Sequence, residues 1–162
     1  MSKWLQLIQD DDYLRIKKYI SDGANINECN EEEESILAQA LKHRCSQETI
    51  ELIVSSGADI YEINAEGVSV FDYAISANSN YMFDYILDKG IDVNFTHRPS
   101  GFTPLMGAVC FGRVEMLNKL IDAGANIEKM DNRGLSLYDY ARKMGKKKII
   151  EVLENKLNEK SQ

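Results

Sequence analysis

Residues 101–131 read GFTPLMGAVCFGRVEMLNKLIDAGANIEKMD, and this stretch predicts two short helices joined by a turn. Thr103 is suited to cap a helix that begins at Pro104, because proline has a preset φ and lacks only an N–H that would have no partner there. The first helix should break near Gly112, and a second run of apolar residues at helical spacing follows it. Gly124 should end the second helix, since the residue after a helix commonly takes a positive φ.

The same unit recurs along the chain. Its closing phrase begins at four glycines whose successive spacings are 34, 33 and 34 residues: Gly23, Gly57, Gly90 and Gly124. Its opening phrase begins at Ser35, Ser69, Thr103 and Ser136. Two phrases that keep register through several copies indicate a repeat architecture in which each unit packs against its neighbours.

A period of about 33 residues with this turn and helix pattern is typical of ankyrin repeats. The chain resembles the ankyrin-repeat family over essentially its whole length. The resemblance implies an all-α solenoid of about five stacked helix-turn-helix repeats with short hairpin loops. We expect a single domain, 1–162, whose repeats cover approximately 2–28, 30–62, 64–96, 98–130 and 131–160.

The composition is that of an ordinary globular protein, with 44% hydrophobic and 28% charged residues. The apolar part of the first ten residues is too short and too polar for a signal peptide or a membrane span. The three cysteines, Cys29, Cys45 and Cys110, are odd in number and widely spaced, which favours free thiols in a reducing compartment. We therefore expect a cytoplasmic protein without membrane contact.

The charge is negative and unevenly distributed. The formal net charge is −7, from 19 basic and 26 acidic residues. Residues up to Glu66 carry 6 basic and 14 acidic side chains (−8), whereas those from Gly67 carry 13 and 12 (+1). This sign disfavours nucleic acid, whose phosphates need cations, and favours a basic protein partner. We expect a monomer in the absence of that partner.

Residues 30–35 contain four successive glutamates where the family resemblance places a projecting hairpin tip. Glu33 stands where the family has a turn glycine. Two interpretations remain open: a solvated turn, or an acidic finger that faces a partner. In the second interpretation, Glu31, Glu32 and Glu34, together with Glu66 of the next hairpin, attract the basic partner.

Three phenylalanines, Phe95, Phe102 and Phe111, occupy positions that are usually variable and solvent-facing in the family. Grouped near one concave edge, they would form an aromatic anchor of the kind that dominates protein interfaces. For Phe111 an alternative remains open, in which its ring folds into the neighbouring repeat.

No pattern in the sequence indicates catalysis, a metal or a cofactor. The pairs Ser69–Asp72 and Ser136–Asp139 have the spacing of capping boxes, which explains both aspartates without a catalytic role. His43 and Cys45 share a turn, but a structural zinc site needs four ligands. Trp4 aligns with core positions of the other repeats, so we expect it to be buried.

The family resemblance implies protein–protein recognition. The short chain, rich in Lys, Asn, Ile and Glu, resembles small stand-alone bacterial ankyrin proteins. One role of such proteins is immunity, in which the protein binds and neutralises a cognate toxin; the acidic end suits a basic nuclease. The alternative is a general adaptor or scaffold, or an effector directed at a host cell. A hydrolase using Cys45 or Cys110 is the remaining alternative.

Overall fold

The computed structural model describes residues 2–160, which contain ten α-helices and no strand. In chain order the helices are α1 (Lys3–Gln9), α2 (Tyr13–Ser21), α3 (Ile36–Lys42), α4 (Gln47–Ser55), α5 (Val70–Ser76), α6 (Asn80–Leu87), α7 (Pro104–Cys110), α8 (Val114–Asp122), α9 (Leu137–Lys143) and α10 (Lys147–Lys160). Extended pairing in this part of the chain is confined to two isolated bridges, Cys29–Ser35 and Ile63–Ser69. The predicted all-α repeat fold is confirmed.

Each of the five predicted repeat ranges contains one helix pair. The chain forms two compact units, one ending at Lys89 and the other starting at Gly90. In the first unit, α1, α3 and α5 pack in sequence and α2 packs against α4. In the second unit, α7 packs against α9 and α8 against α10. The single domain remains a prediction, and Met1, Ser161 and Gln162, which it includes, lie outside the described residues.

Short polar side chains start most of the helices. In α1 to α9, with the exception of α8, a Ser, Thr or Asp at the N-cap accepts a hydrogen bond from a backbone N–H in the first turn. Such a bond satisfies one of the donors that a helix start leaves without a partner. Asp72 and Asp139 complete the two predicted capping boxes by accepting the N–H of Ser69 and of Ser136, each at 2.9 Å. Their predicted capping role is confirmed.

Apolar side chains between the paired helices form the core of each unit. In the first unit, Trp4 is 1% exposed, as predicted, and Phe71 stacks on Phe83 with ring centroids 5.0 Å apart. In the second unit, Leu105 of α7 and Leu117 of α8 are buried. Because helices of seven to nine residues are not stable alone in water, this packing holds them in place.

An asparagine side chain joins the loops of successive repeats in each unit. Asn27 donates through Nδ2 to the carbonyl oxygen of Gly57 (3.3 Å) and accepts the N–H of Asp59 (3.0 Å). In the second unit Asn94 makes the same pair of bonds with Gly124 (3.1 Å) and Asn126 (2.7 Å). These bonds set the spacing of the loops that lead into the hairpins.

Candidate protein interface

Asparagine side chains hold two hairpins of the first unit through hydrogen bonds within each turn. The Oδ1 atom of Asn30 accepts the N–H groups of Glu32 (3.0 Å) and Glu34 (2.9 Å), which closes the first acidic hairpin. Asn64 does the same for Glu66 and Val68, each at 2.9 Å. The hairpin tips are therefore held by bonds within the turn and present their side chains in a defined direction.

Three of the four predicted glutamates lie together at the surface. Glu31 and Glu32 are exposed on one hairpin, and Glu66 is exposed on the next. The two tips are joined by a bond from the N–H of Ala65 to the carbonyl oxygen of Glu32 (3.2 Å). The structure thus brings Glu31, Glu32 and Glu66 into one patch of the first unit.

Glu34 does not belong to this patch, because its side chain is buried. Its Oε1 accepts the Tyr73 hydroxyl (2.6 Å) and the Lys42 ammonium (3.1 Å), and its Oε2 accepts Nδ2 of Asn30 (2.9 Å). Burial raises the pKa of Glu34, but the bonds from Tyr73, Asn30 and Lys42 outweigh it and leave the pKa below its usual value. The expectation that Glu34 meets a partner at the surface is corrected: its carboxylate supports the hairpin from inside.

Three further glutamates surround the patch, although the sequence analysis did not assign them to the site. The carboxylates of Glu62, Glu33 and Glu28 lie near the exposed Cys29, whose pKa is raised by burial and then by these three charges. Glu28 and Glu62, like Glu32 and Glu66, are 34 residues apart, so the repeat period already placed them on neighbouring hairpins. We call the six residues the acidic hairpin surface: Glu28, Glu31, Glu32, Glu33, Glu62 and Glu66.

A cleft lies beside the acidic hairpin surface and extends to the starts of α1 and α3. Glu28, Glu31 and Glu32 line one part of it, and the half-buried Leu5 contributes apolar surface. A lysine or arginine side chain has an apolar stem and a charged head, and so matches this combination.

The two units carry formal charges of opposite sign. The first unit, up to Lys89, has 7 basic and 17 acidic residues, so 7 − 17 = −10. The second unit has 12 basic and 9 acidic residues, so 12 − 9 = +3. The acidic hairpin surface therefore belongs to a unit whose net negative charge attracts cations.

All three predicted phenylalanines are in the second unit, and each lies near a cationic or aromatic side chain. Phe95 is 56% exposed and meets the ring of His97 edge-on at 4.7 Å. Phe102 is half-buried, with the Arg98 guanidinium 4.7 Å from its ring centre. Its other neighbour is Tyr140, at 5.4 Å.

Phe111 is 48% exposed, which favours the solvent-facing interpretation over folding into the neighbouring repeat. It follows α7, whereas Phe102 precedes it, so a helix about 10 Å long separates the two residues. The structure therefore does not gather the three phenylalanines into one anchor. Phe95 and Phe102 flank one hairpin, and Phe111 lies at the far end of α7.

The half-buried cysteines do not have the character of catalytic nucleophiles. The Cys45 thiol donates to the carbonyl oxygen of Ile8 (3.2 Å), and burial, followed by the charge of Asp11, raises its pKa to about 12. Burial also raises the pKa of Cys110. A nucleophilic cysteine needs a lowered pKa, so neither environment suits one.

Within residues 2–160, no cluster of three or more His, Cys, Asp or Glu side chains is arranged to hold a metal ion. In the same range, every helix is too short or too polar to span a bilayer.

The comparisons with known proteins agree with the repeat architecture. Residues 100–132 match the family model "Ankyrin repeat". The E3 ubiquitin-protein ligase hecd-1 of Caenorhabditis elegans is 32% identical over 106 residues, which are 65% of this chain and 4% of that protein. The E3 ubiquitin-protein ligase Ufd4 of Drosophila melanogaster is 28% identical over 122 residues (74% and 4%).

The B-cell lymphoma 3 protein homolog of Mus musculus is 23% identical over 141 residues, which are 85% of this chain and 32% of that protein. The chain thus spans a third or less of the length of these relatives. The matched stretch, 100–132, contains the hairpin and helix pair that recur in the described part of the chain. The chain thus carries an ankyrin repeat at residues 100–132, within a described fold that repeats the same helix pair.

Proposed function

We propose that this chain is a non-catalytic recognition module that binds a basic protein through the acidic hairpin surface. The observation that carries the proposal is the hydrogen bond between two hairpin tips on which Glu31, Glu32 and Glu66 are exposed. The −10 charge of the first unit extends the attraction beyond contact distance. Fold alone does not give function, so the proposal rests on this site.

Within this class we propose an immunity role, in which the chain binds and neutralises a cognate toxin in the cytoplasm of a bacterial cell. A basic nuclease toxin has a phosphate-binding cleft, and the acidic hairpin surface is complementary to such a cleft in sign. Occupying the cleft would exclude nucleic acid without any chemistry by the inhibitor.

The second candidate is an adaptor or scaffold, including an effector directed at a host cell. The observation that favours it is the length of the relatives, since the matched stretch is 4% of two ubiquitin ligases. The two candidates share the acidic surface and differ in what the bound partner does.

Affinity capture from the source cell, followed by mass spectrometry, tests the proposal. We expect a basic protein to be retained by the wild type and lost from a variant with Glu31→Gln, Glu32→Gln and Glu66→Gln. The matched control replaces three exposed acids of the second unit by Glu115→Gln, Asp122→Asn and Glu128→Gln. Equal capture by both variants would contradict the proposed surface.

Co-expression of the captured partner then separates the two candidates. A partner that stops growth alone, and does not do so with the wild-type chain, identifies an immunity role. A partner that is harmless alone and is recruited to a larger assembly identifies an adaptor.

A further inference from the structure

An open groove in the first unit is lined by residues of α2, α4 and α6, and none of these residues belongs to a hairpin. Its floor is the solvent-facing side of α4, where Glu48, Glu51, Leu52 and Ser55 recur at the spacing of one helical face. Tyr13, from the start of α2, and Tyr81, from the start of α6, also line it. The groove thus combines two aromatic rings, one aliphatic side chain and two carboxylates.

Of the two carboxylates that line the groove, only that of Glu51 accepts a hydrogen bond from another described side chain. The Glu51 carboxylate accepts a bond from Nε2 of Gln47 (2.7 Å). Glu48 is exposed, and among the described residues it makes no side-chain hydrogen bond or ion pair. No lysine or arginine of the described residues lines the groove. A cation from outside therefore meets two carboxylates and no competing positive charge.

The aromatic residues make the groove more than an acidic patch. Tyr13 and Tyr81 are half-buried, so part of each side chain remains accessible. A guanidinium or ammonium group is attracted to the face of such a ring, and its alkyl stem packs well beside Leu52. Next to Tyr13 in the sequence, Leu14 is 75% exposed, more than any other large hydrophobic side chain of the described residues.

We propose that this groove is a second docking surface, separate from the hairpins, and that it binds a short basic amphipathic helix of a partner protein. The face of α4 is about 14 Å long, which matches two to three turns of a docked helix. Two arginines or lysines about one turn apart on that helix meet Glu48 and Glu51. An apolar residue between them packs on Leu52, in the manner of helix-in-groove recognition.

The preferred sign of the partner is the same as in the proposed function, but the surface is different. Loss of the hairpin site would therefore leave this groove intact, and loss of the groove would leave the hairpin site intact. A basic partner could use both surfaces, in which case the two add avidity.

Nuclear magnetic resonance titration with two synthetic helical peptides tests the groove. The first peptide carries arginines one turn apart with leucines between them, and the second has glutamine in place of each arginine. We expect the arginine peptide to shift the signals of Tyr13, Leu52 and Tyr81, and the glutamine peptide to leave them in place. Equal binding of the two peptides would overturn the charge basis of the proposal.

Matched variants sharpen the test. Glu48→Gln with Glu51→Gln should weaken binding of the arginine peptide about tenfold, while Glu115→Gln, at the equivalent position of α8, should have no effect. Tyr81→Ala should weaken binding, whereas Tyr81→Phe should retain it because the ring face makes the contact. Thermal unfolding verifies that each variant is folded.

Three further results would overturn the proposal. The arginine peptide fails to bind, or it shifts only the acidic hairpin surface, which would leave the proposed function standing. Alternatively, the groove signals shift with protein concentration in the absence of peptide, which would assign the groove to a second copy of this chain.

Discussion

At the scale of single residues, a glutamate occupies the left-handed position of the first acidic hairpin. Glu33 has φ 61°, and the corresponding residues of the later hairpins are Gly67 (80°), Gly101 (76°) and Gly134 (79°). A residue with a Cβ atom is strained there, because the Cβ approaches the backbone carbonyl. The strain was foreseeable, since Glu33 stands in place of the turn glycine of the repeat.

Replacing Glu33 by glycine should stabilise the chain. Relief of the left-handed strain contributes ~1–2 kcal/mol, and the greater freedom of glycine in the unfolded chain offsets ~0.5–1 kcal/mol of it. We expect Glu33→Gly to raise the free energy of unfolding, measured in urea, by the difference. Glu33→Ala removes the charge and keeps the strain, so a similar gain in that control would show that charge repulsion, not φ, is the cause.

The neighbouring Glu34 links the hairpin to pH. Its pKa in the folded chain lies below the unfolded value, so its bonds stabilise the fold above the unfolded pKa, and this contribution is lost as the pH falls through the folded pKa. Glu34→Gln should therefore lower stability at pH 7, and the difference from the wild type should shrink in acid. Urea unfolding at several pH values measures this.

Glu31→Gln is the control for the pH experiment, because Glu31 is exposed on the same hairpin. We expect its stability difference from the wild type to be small, because an exposed side chain contributes little to the fold. An unchanged pH profile in Glu34→Gln would contradict the role assigned to the buried carboxylate.

At the scale of elements, the helices and their ends could be predicted because their signals are local. Thr103 caps α7, Pro104 begins it, and Gly124, with φ 97°, follows the end of α8, as the residues indicated. The difference between Glu31 and Glu34 could not be predicted in the same way. The hydroxyl that donates to the buried Glu34 carboxylate belongs to Tyr73, 39 residues away. Nothing within residues 30–35 indicates which of the glutamates accepts that hydrogen bond.

The packing of α7 gives a prediction at the same scale. Leu105 is 2% exposed, and its truncation leaves a cavity between packed helices. We expect Leu105→Ala to lower the free energy of unfolding by ~2–5 kcal/mol. Leu14→Ala, at a 75% exposed position of α2, is the matched control and should change it by less than ~0.5 kcal/mol. Equal effects of the two variants would mean that α7 does not pack as described.

At the scale of the whole molecule, the charge of each unit followed from the sequence, but the composition of a binding surface did not. The formal charges of −8 up to Glu66 and +1 from Gly67 predicted an acidic first part and a nearly neutral remainder. The sequence could not show that Phe102 packs on Tyr140, because that contact depends on which side chains neighbouring repeats bring together.

The last prediction concerns the rates at which the captured basic partner binds and leaves. Long-range attraction raises the association rate and weakens with salt, whereas buried aromatic contacts slow dissociation. We propose that the acidic hairpin surface steers the partner, while the exposed Phe95 and Phe111 hold it. Glu31→Gln with Glu32→Gln and Glu66→Gln should lower the association rate constant about tenfold at low salt and flatten its salt dependence.

Phe95→Ala and Phe111→Ala should instead raise the dissociation rate constant and leave the association rate constant nearly unchanged, since neither substitution alters the charge. Surface plasmon resonance at several salt concentrations separates the two effects. Because both phenylalanines are about half exposed, their loss should leave the melting temperature almost as it was. If both sets of substitutions leave both rates unchanged, the partner binds elsewhere, and the groove along α4 is the surface to examine next.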